Sequence, residues 1–71
     1  MFNTNDYVFI KPTGDQSIDR FLNQQMTVVE IYHVHNGGYC YDQYLLVDAT
    51  TGDFIRINSD EVEKGERLNG N

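Results

Sequence analysis

The sequence predicts an all-β domain, a small sheet or barrel, on three observations. Short runs rich in β-branched and aromatic residues alternate with turn residues along the whole chain. The longest run, Met26-Thr27-Val28-Val29-Glu30-Ile31-Tyr32-His33-Val34-His35, has the composition of a long strand. Asn36-Gly37-Gly38 follows it directly, and Tyr39 to Asp48 returns as the partner strand.

The first run is Tyr7-Val8-Phe9-Ile10-Lys11, closed by Pro12, which has no N–H to give a ladder. Thr13-Gly14-Asp15 adds turn chemistry. Residues 12–25 read as a polar loop with room for one helical turn, whose Phe21 and Leu22 cover the end of the core; a functional loop is the competing reading. At the central hairpin two registers are open. A turn on Asn36-Gly37 sets His33 opposite Cys40 and Tyr32 opposite Tyr41, whereas one on Gly37-Gly38 sets His33 opposite Asp42.

Asp48-Ala49-Thr50-Thr51-Gly52-Asp53 is the next turn and Phe54-Ile55-Arg56-Ile57 the next strand, with Phe54 and Arg56 on one face. Asn58-Ser59-Asp60-Glu61 reads as a short helical turn, Asn58 capping and Val62 returning to the core. The domain is expected over residues 1–63, with 64–71 a polar, flexible tail.

At 71 residues the chain makes one domain. A chain this short buries about 60% of the surface it exposes when unfolded, so its core is marginal. Cys40 is the only cysteine, which excludes an internal disulfide and fits a reducing cytoplasm, where such a residue is expected to be buried. The first residues have neither a basic start nor an apolar stretch, and no apolar run approaches the roughly 20 residues of a membrane span. A cytoplasmic protein that does not engage membrane is the expectation.

The strands and turns resemble, in their order, the small SH3-like barrels, including KOW-type modules and the SH3-like proteins carried by phages and prophages. The residues that carry the likeness are Asp6-Tyr7-Val8-Phe9-Ile10, Met26-Thr27-Val28-Val29-Glu30-Ile31, Tyr44-Leu45-Leu46-Val47-Asp48, Thr51-Gly52-Asp53 and Asp60-Glu61-Val62-Glu63. The resemblance covers residues 6–63. It implies about five antiparallel strands, a long central hairpin and a short helical turn near the C-terminus; it bears on fold rather than function. Two departures matter. Gln24-Gln25 stands where KOW-type modules often carry a glycine, and the chain has no tryptophan to line a proline-peptide groove.

Eleven acidic residues against five basic ones give a net charge of −6. Lys11, Arg20, Arg56, Lys64 and Arg67 stand singly, so direct nucleic-acid binding, which needs clustered Lys and Arg, is disfavoured. A basic partner is favoured, although acidity also serves solubility alone. Asp42, Asp48, Asp53, Asp60, Glu61, Glu63 and Glu66 all lie from residue 42 onward. If the 48–53 turn and the 60–66 segment meet, they form a stripe able to imitate duplex phosphates and occupy the basic groove of a host DNA-binding protein. A solvated surface is the plain alternative.

Tyr32, Tyr39, Tyr41 and Tyr44 form a second group. They pack a small sheet or, for Tyr32, Tyr39 and Tyr41, supply a binding patch or a homodimer contact. His33-x-His35 with Cys40 or Asp42 offers up to three ligands for zinc, short of a fourth; two histidines at a hairpin end are also ordinary surface residues. Cys40 with His33 or His35, oriented by Asp42, is a nucleophile arrangement that would need a cleft. No phosphate-cradling loop, nucleophile elbow, metal-protease helix or paired catalytic carboxylates occurs. The expectation is a non-enzymatic, cofactor-free acidic binding protein of phage type that occupies and inhibits a basic host protein. The alternative is a general protein- or peptide-interaction module using its tyrosine face.

Overall fold

Alternation in the first run becomes strand β1, Tyr7–Ile10, in a computed structural model that describes residues 2–65. Val8 and Ile10 point into the core, while Tyr7 and Phe9 stay half-buried. The other elements are a one-turn helix α1 (Gln16–Asp19), strands β2 (Met26–Asn36), β3 (Tyr39–Val47) and β4 (Phe54–Asn58), a 3-10 turn (Ser59–Glu61) and β5 (Val62–Lys64).

All five strands pair antiparallel in one open sheet of order β4-β3-β2-β1-β5. Among the described residues β4 and β5 are its edges, so the pairing does not close into a barrel. Val8, Ile10, Phe21, Met26, Val28, Tyr44, Leu46, Ile57 and Val62 form the core. Phe2 packs against it, with its ring edge-on to Tyr44 and its N–H donating to the Tyr44 hydroxyl at 3.3 Å.

The loop over 12–25 holds the single helical turn expected, and Phe21 is fully buried with Leu22 packed beside the core. Asp15 caps the turn by accepting from the Ser17 N–H. Asp19 ties the turn back to the loop, accepting from the Thr13 N–H at 2.9 Å, the Thr13 hydroxyl at 2.8 Å and the Gly14 N–H at 3.0 Å. These bonds, the Thr13 N–H first, hold the Asp19 carboxyl below its ordinary pKa.

A β-bulge governs the rest. Val28 pairs with Leu46, but Glu30 pairs with Leu45, leaving Val29 as the extra residue on β2. One added residue reverses the alternation. Before the bulge Met26 and Val28 face the core; after it Ile31 does, opposite the buried Tyr44.

Two expectations at the C-terminal end are revised. Asn58 precedes the 3-10 turn but makes no side-chain cap; its carboxamide oxygen accepts instead from Gln43 at 2.8 Å. Pairing also runs past residue 63, since Lys64 aligns with Val8 and the Gly65 N–H donates to the Tyr7 carbonyl at 2.9 Å. The remaining tail, 66–71, lies outside the described residues.

Candidate functional site

The β2–β3 hairpin outruns its neighbours. β1 aligns with β2 only at Met26 and Thr27, and β4 aligns with β3 only from Gln43 to Val47. Residues 33–42 therefore form a two-stranded ribbon with no further strand on either edge among the described residues. The molecule is correspondingly elongated, 42 Å against 26 and 19 Å. A bare ribbon of this kind has little of its own to stabilise it in water.

Gly37 and Gly38 form the turn, with φ of 58° and 93°. Positive φ at both central residues is the hairpin geometry whose twist matches the flanking strands. This selects the second register: His33 faces Asp42, Val34 faces Tyr41, His35 faces Cys40 and Asn36 faces Tyr39.

The arm has two unlike faces. One continues the core side and carries His33, His35, Cys40 and Asp42. On it the His33 Nδ1 lies 2.8 Å from an Asp42 carboxylate oxygen, and the His35 Nδ1 lies 3.1 Å from the Cys40 Sγ. Cys40 is exposed rather than buried, because it stands beyond the end of the core. The other face carries Val34, Tyr39 and Tyr41, with Tyr39 75% and Tyr41 39% exposed.

The tyrosines thus separate. Tyr44 belongs to the core. Tyr32 sits opposite Gln43, not Tyr41, and the Arg56 guanidinium lies 3.9 Å over its ring. Arg56 Nε donates to the Gln43 side chain at 2.8 Å, and Gln43 in turn donates to Asn58. Tyr32 is held within this chain of contacts; Tyr39 and Tyr41 remain as the exposed pair. Arg56 and Gln43 were not candidates from sequence, although the shared face of Phe54 and Arg56 was the available signal.

Among the described residues, the acidic ones do not gather into one stripe. Asp48 is buried and accepts from the Thr50 N–H at 2.8 Å, so it serves its own turn. Asp53 and Asp60 flank opposite ends of β4, whose five residues span about 17 Å. Glu61 is half-buried, with its backbone carbonyl accepting from the Lys11 N–H. Glu63 aligns with Phe9 on β5, at the far edge of the sheet from β4. Glu66 lies outside the described residues. Asp42 and Asp60 share an open groove beside the arm, lined by Cys40, Tyr41, Asp42, Asn58, Ser59 and Asp60.

Comparison with protein-family models, curated proteins and solved structures finds no match. The local geometry must carry the reading. A nucleophile relay is not assembled, because Asp42 pairs with His33 whereas Cys40 touches His35. Two separate pairs cannot pass a proton from thiol through one imidazole to a carboxylate. Nor do three of the His, Cys, Asp or Glu side chains already stand around one point among the described residues. What the arm presents most openly is aromatic surface beside two carboxylates.

Proposed function

We propose that this chain is a non-enzymatic interaction module of the SH3-like type whose projecting hairpin docks on another protein through Tyr39, Tyr41 and Val34. The observation that carries it is the 75% exposure of Tyr39, beside Tyr41, on a ribbon that no other strand flanks among the described residues. Tyrosine suits this role because its ring gives apolar area while its hydroxyl tolerates water. The sheet order β4-β3-β2-β1-β5, the long loop after β1 and the 3-10 turn before β5 support the SH3-like assignment.

The partner surface is basic. Asp42 and Asp60 border Tyr41 in one groove, and the net charge of −6 favours approach to positive potential. A phage-encoded protein of this kind would act in the host cytoplasm by covering such a surface, the basic groove of a DNA-binding protein among them. The tyrosine pair anchors; the acids steer. This replaces a continuous acidic stripe as the binding element, since Asp48 and Asp53 stand apart from Asp60.

Capture from host lysate with wild-type protein and with a Tyr39→Ala/Tyr41→Ala double variant tests the reading. Loss of a captured basic protein with the fold intact is expected, whereas equal capture by the folded double variant refutes it. Capture at 50 mM and at about 500 mM salt measures the steering contribution, which should fall as screening shortens its range. Sedimentation of the protein alone reports whether the same face pairs two copies instead.

A further inference from the structure

We infer that the free edge of β2 in the arm pairs antiparallel with the same edge of a second copy, about a twofold axis at Val34. The two-residue turn closes on Asn36 and Tyr39 as a hydrogen-bonded pair. Alternation then gives the bonds between β2 and β3 to Val34 with Tyr41 and to Tyr32 with Gln43. The N–H and C=O groups of Ile31, His33 and His35 point the other way. The far end of β3 agrees, because the Asp48 N–H turns from β2 and donates to the Asp53 carbonyl at 2.8 Å. β1 aligns with β2 only at Met26 and Thr27, so no described strand takes up the outward groups of the arm.

The other edges are charged or short. Arg56 lies on β4, and Glu63 and Lys64 on β5, charges of the kind that oppose strand addition. β3 is unflanked only from Tyr39 to Asp42, where Asn58, Ser59 and Asp60 border it. Residues 31–41, by contrast, hold no Lys, Arg, Asp or Glu in a chain of net charge −6. Two copies that repel elsewhere can meet here. Asn5 sets the register: its N–H donates to the Val28 carbonyl at 2.7 Å and fills the edge of β2 before the bulge. Setting Val34 against the partner's Val34 brings the partner's turn beside Glu30 and Ile31, clear of that bond. His33 then exchanges both backbone bonds with the partner's His35, and His35 does the same with the partner's His33. On the outer face Tyr41 and Val34 of each copy join in one apolar row across the paired arms. A ribbon that is marginal alone becomes part of a wider sheet. Tyr39 stays outside the row, so edge pairing and docking through the tyrosine face can fail separately.

Sedimentation equilibrium of the full chain over a range of concentrations, with amide exchange read at each, tests the pairing. A monomer–dimer equilibrium is expected, with protection of the His33 and His35 amides rising with the dimer fraction. His35→Pro removes a donor that faces the partner and none that β3 uses, so it should weaken dimerisation about 10–100-fold. Val34→Lys sets like charges against each other at the axis and should give monomer. Tyr39→Ala should leave the dimer intact. Circular dichroism of each variant separates lost pairing from unfolding. Monomer at every concentration overturns the pairing, as does a dimer that folded His35→Pro and Val34→Lys leave unchanged. Dissociation by Tyr39→Ala, with the His33 and His35 amides unprotected in the wild-type dimer, would mean that the copies meet through their tyrosine faces and would refute the edge contact.

Discussion

The Arg56 guanidinium lies 3.9 Å above the ring of Tyr32, two strands away on the outer face of the sheet. β3 runs between them, and its Gln43 accepts from Arg56 Nε. The contact therefore fastens the edge strand β4 to β2 across their common neighbour. A double-mutant cycle with Tyr32→Ala and Arg56→Ala, followed by urea unfolding, should give a coupling of about 0.5–1 kcal/mol. Strict additivity would show that the ring and guanidinium do not interact in solution.

Phe21 and Phe54 offer a contrast in what an aromatic residue contributes. Phe21 is 1% exposed, so Phe21→Ala should lose about 3–5 kcal/mol, a large fraction of a small domain's stability. Phe54 is 68% exposed, and Phe54→Ala should change stability by no more than about 0.5 kcal/mol. Thermal or denaturant melts of the two variants check both values.

Gly38, with φ of 93°, occupies backbone space that side chains enter at a cost of about 1–3 kcal/mol. Gly38→Val should destabilise the hairpin by that amount. Gly37→Asn should be nearly neutral, because asparagine tolerates the φ of 58° there. Amide exchange across residues 33–42 would locate the loss in the arm.

The lowered pKa of Asp19 makes its contribution depend on pH. A carboxyl whose folded pKa lies below its unfolded value stabilises the fold above the unfolded pKa, and loses that effect as pH falls through the folded one. Asp19→Asn should thus be less stable than wild type near neutral pH, the gap closing on acidification below the ordinary aspartate range. Unfolding curves across pH 2 to 7 would detect it; a gap constant with pH would contradict the assigned hydrogen bonds.

Much of the strand layout was legible from residue type alone. β-branched runs mark β1, β2 and β4, Phe21 announces itself as a core cover, and Val62 as the returning apolar residue. The site was harder to read. Asn36-Gly37-Gly38 serves two registers equally well by composition, and the acids after residue 41 look like one group when only sequence separation is considered. Pairing of Val47 with Phe54 and of Gln43 with Asn58 sends Asp53 and Asp60 to opposite ends of a strand. Sequence proximity says nothing about which end of a strand a residue occupies.

The sequence by itself determined that the protein is a small acidic β-domain with one cysteine and a long central hairpin. Those properties depend on composition and on local backbone preference. Tertiary structure decided which side of that hairpin each residue takes. The bulge at Val29 reverses alternation, placing His33 and His35 on the core side and Tyr32 and Val34 on the outer side. No local signal marks that extra residue, because β-branched residues run unbroken from Thr27 to Val29. Its position is fixed by packing Met26, Val28 and Ile31 against a single core, a constraint that exists only once the strands are paired.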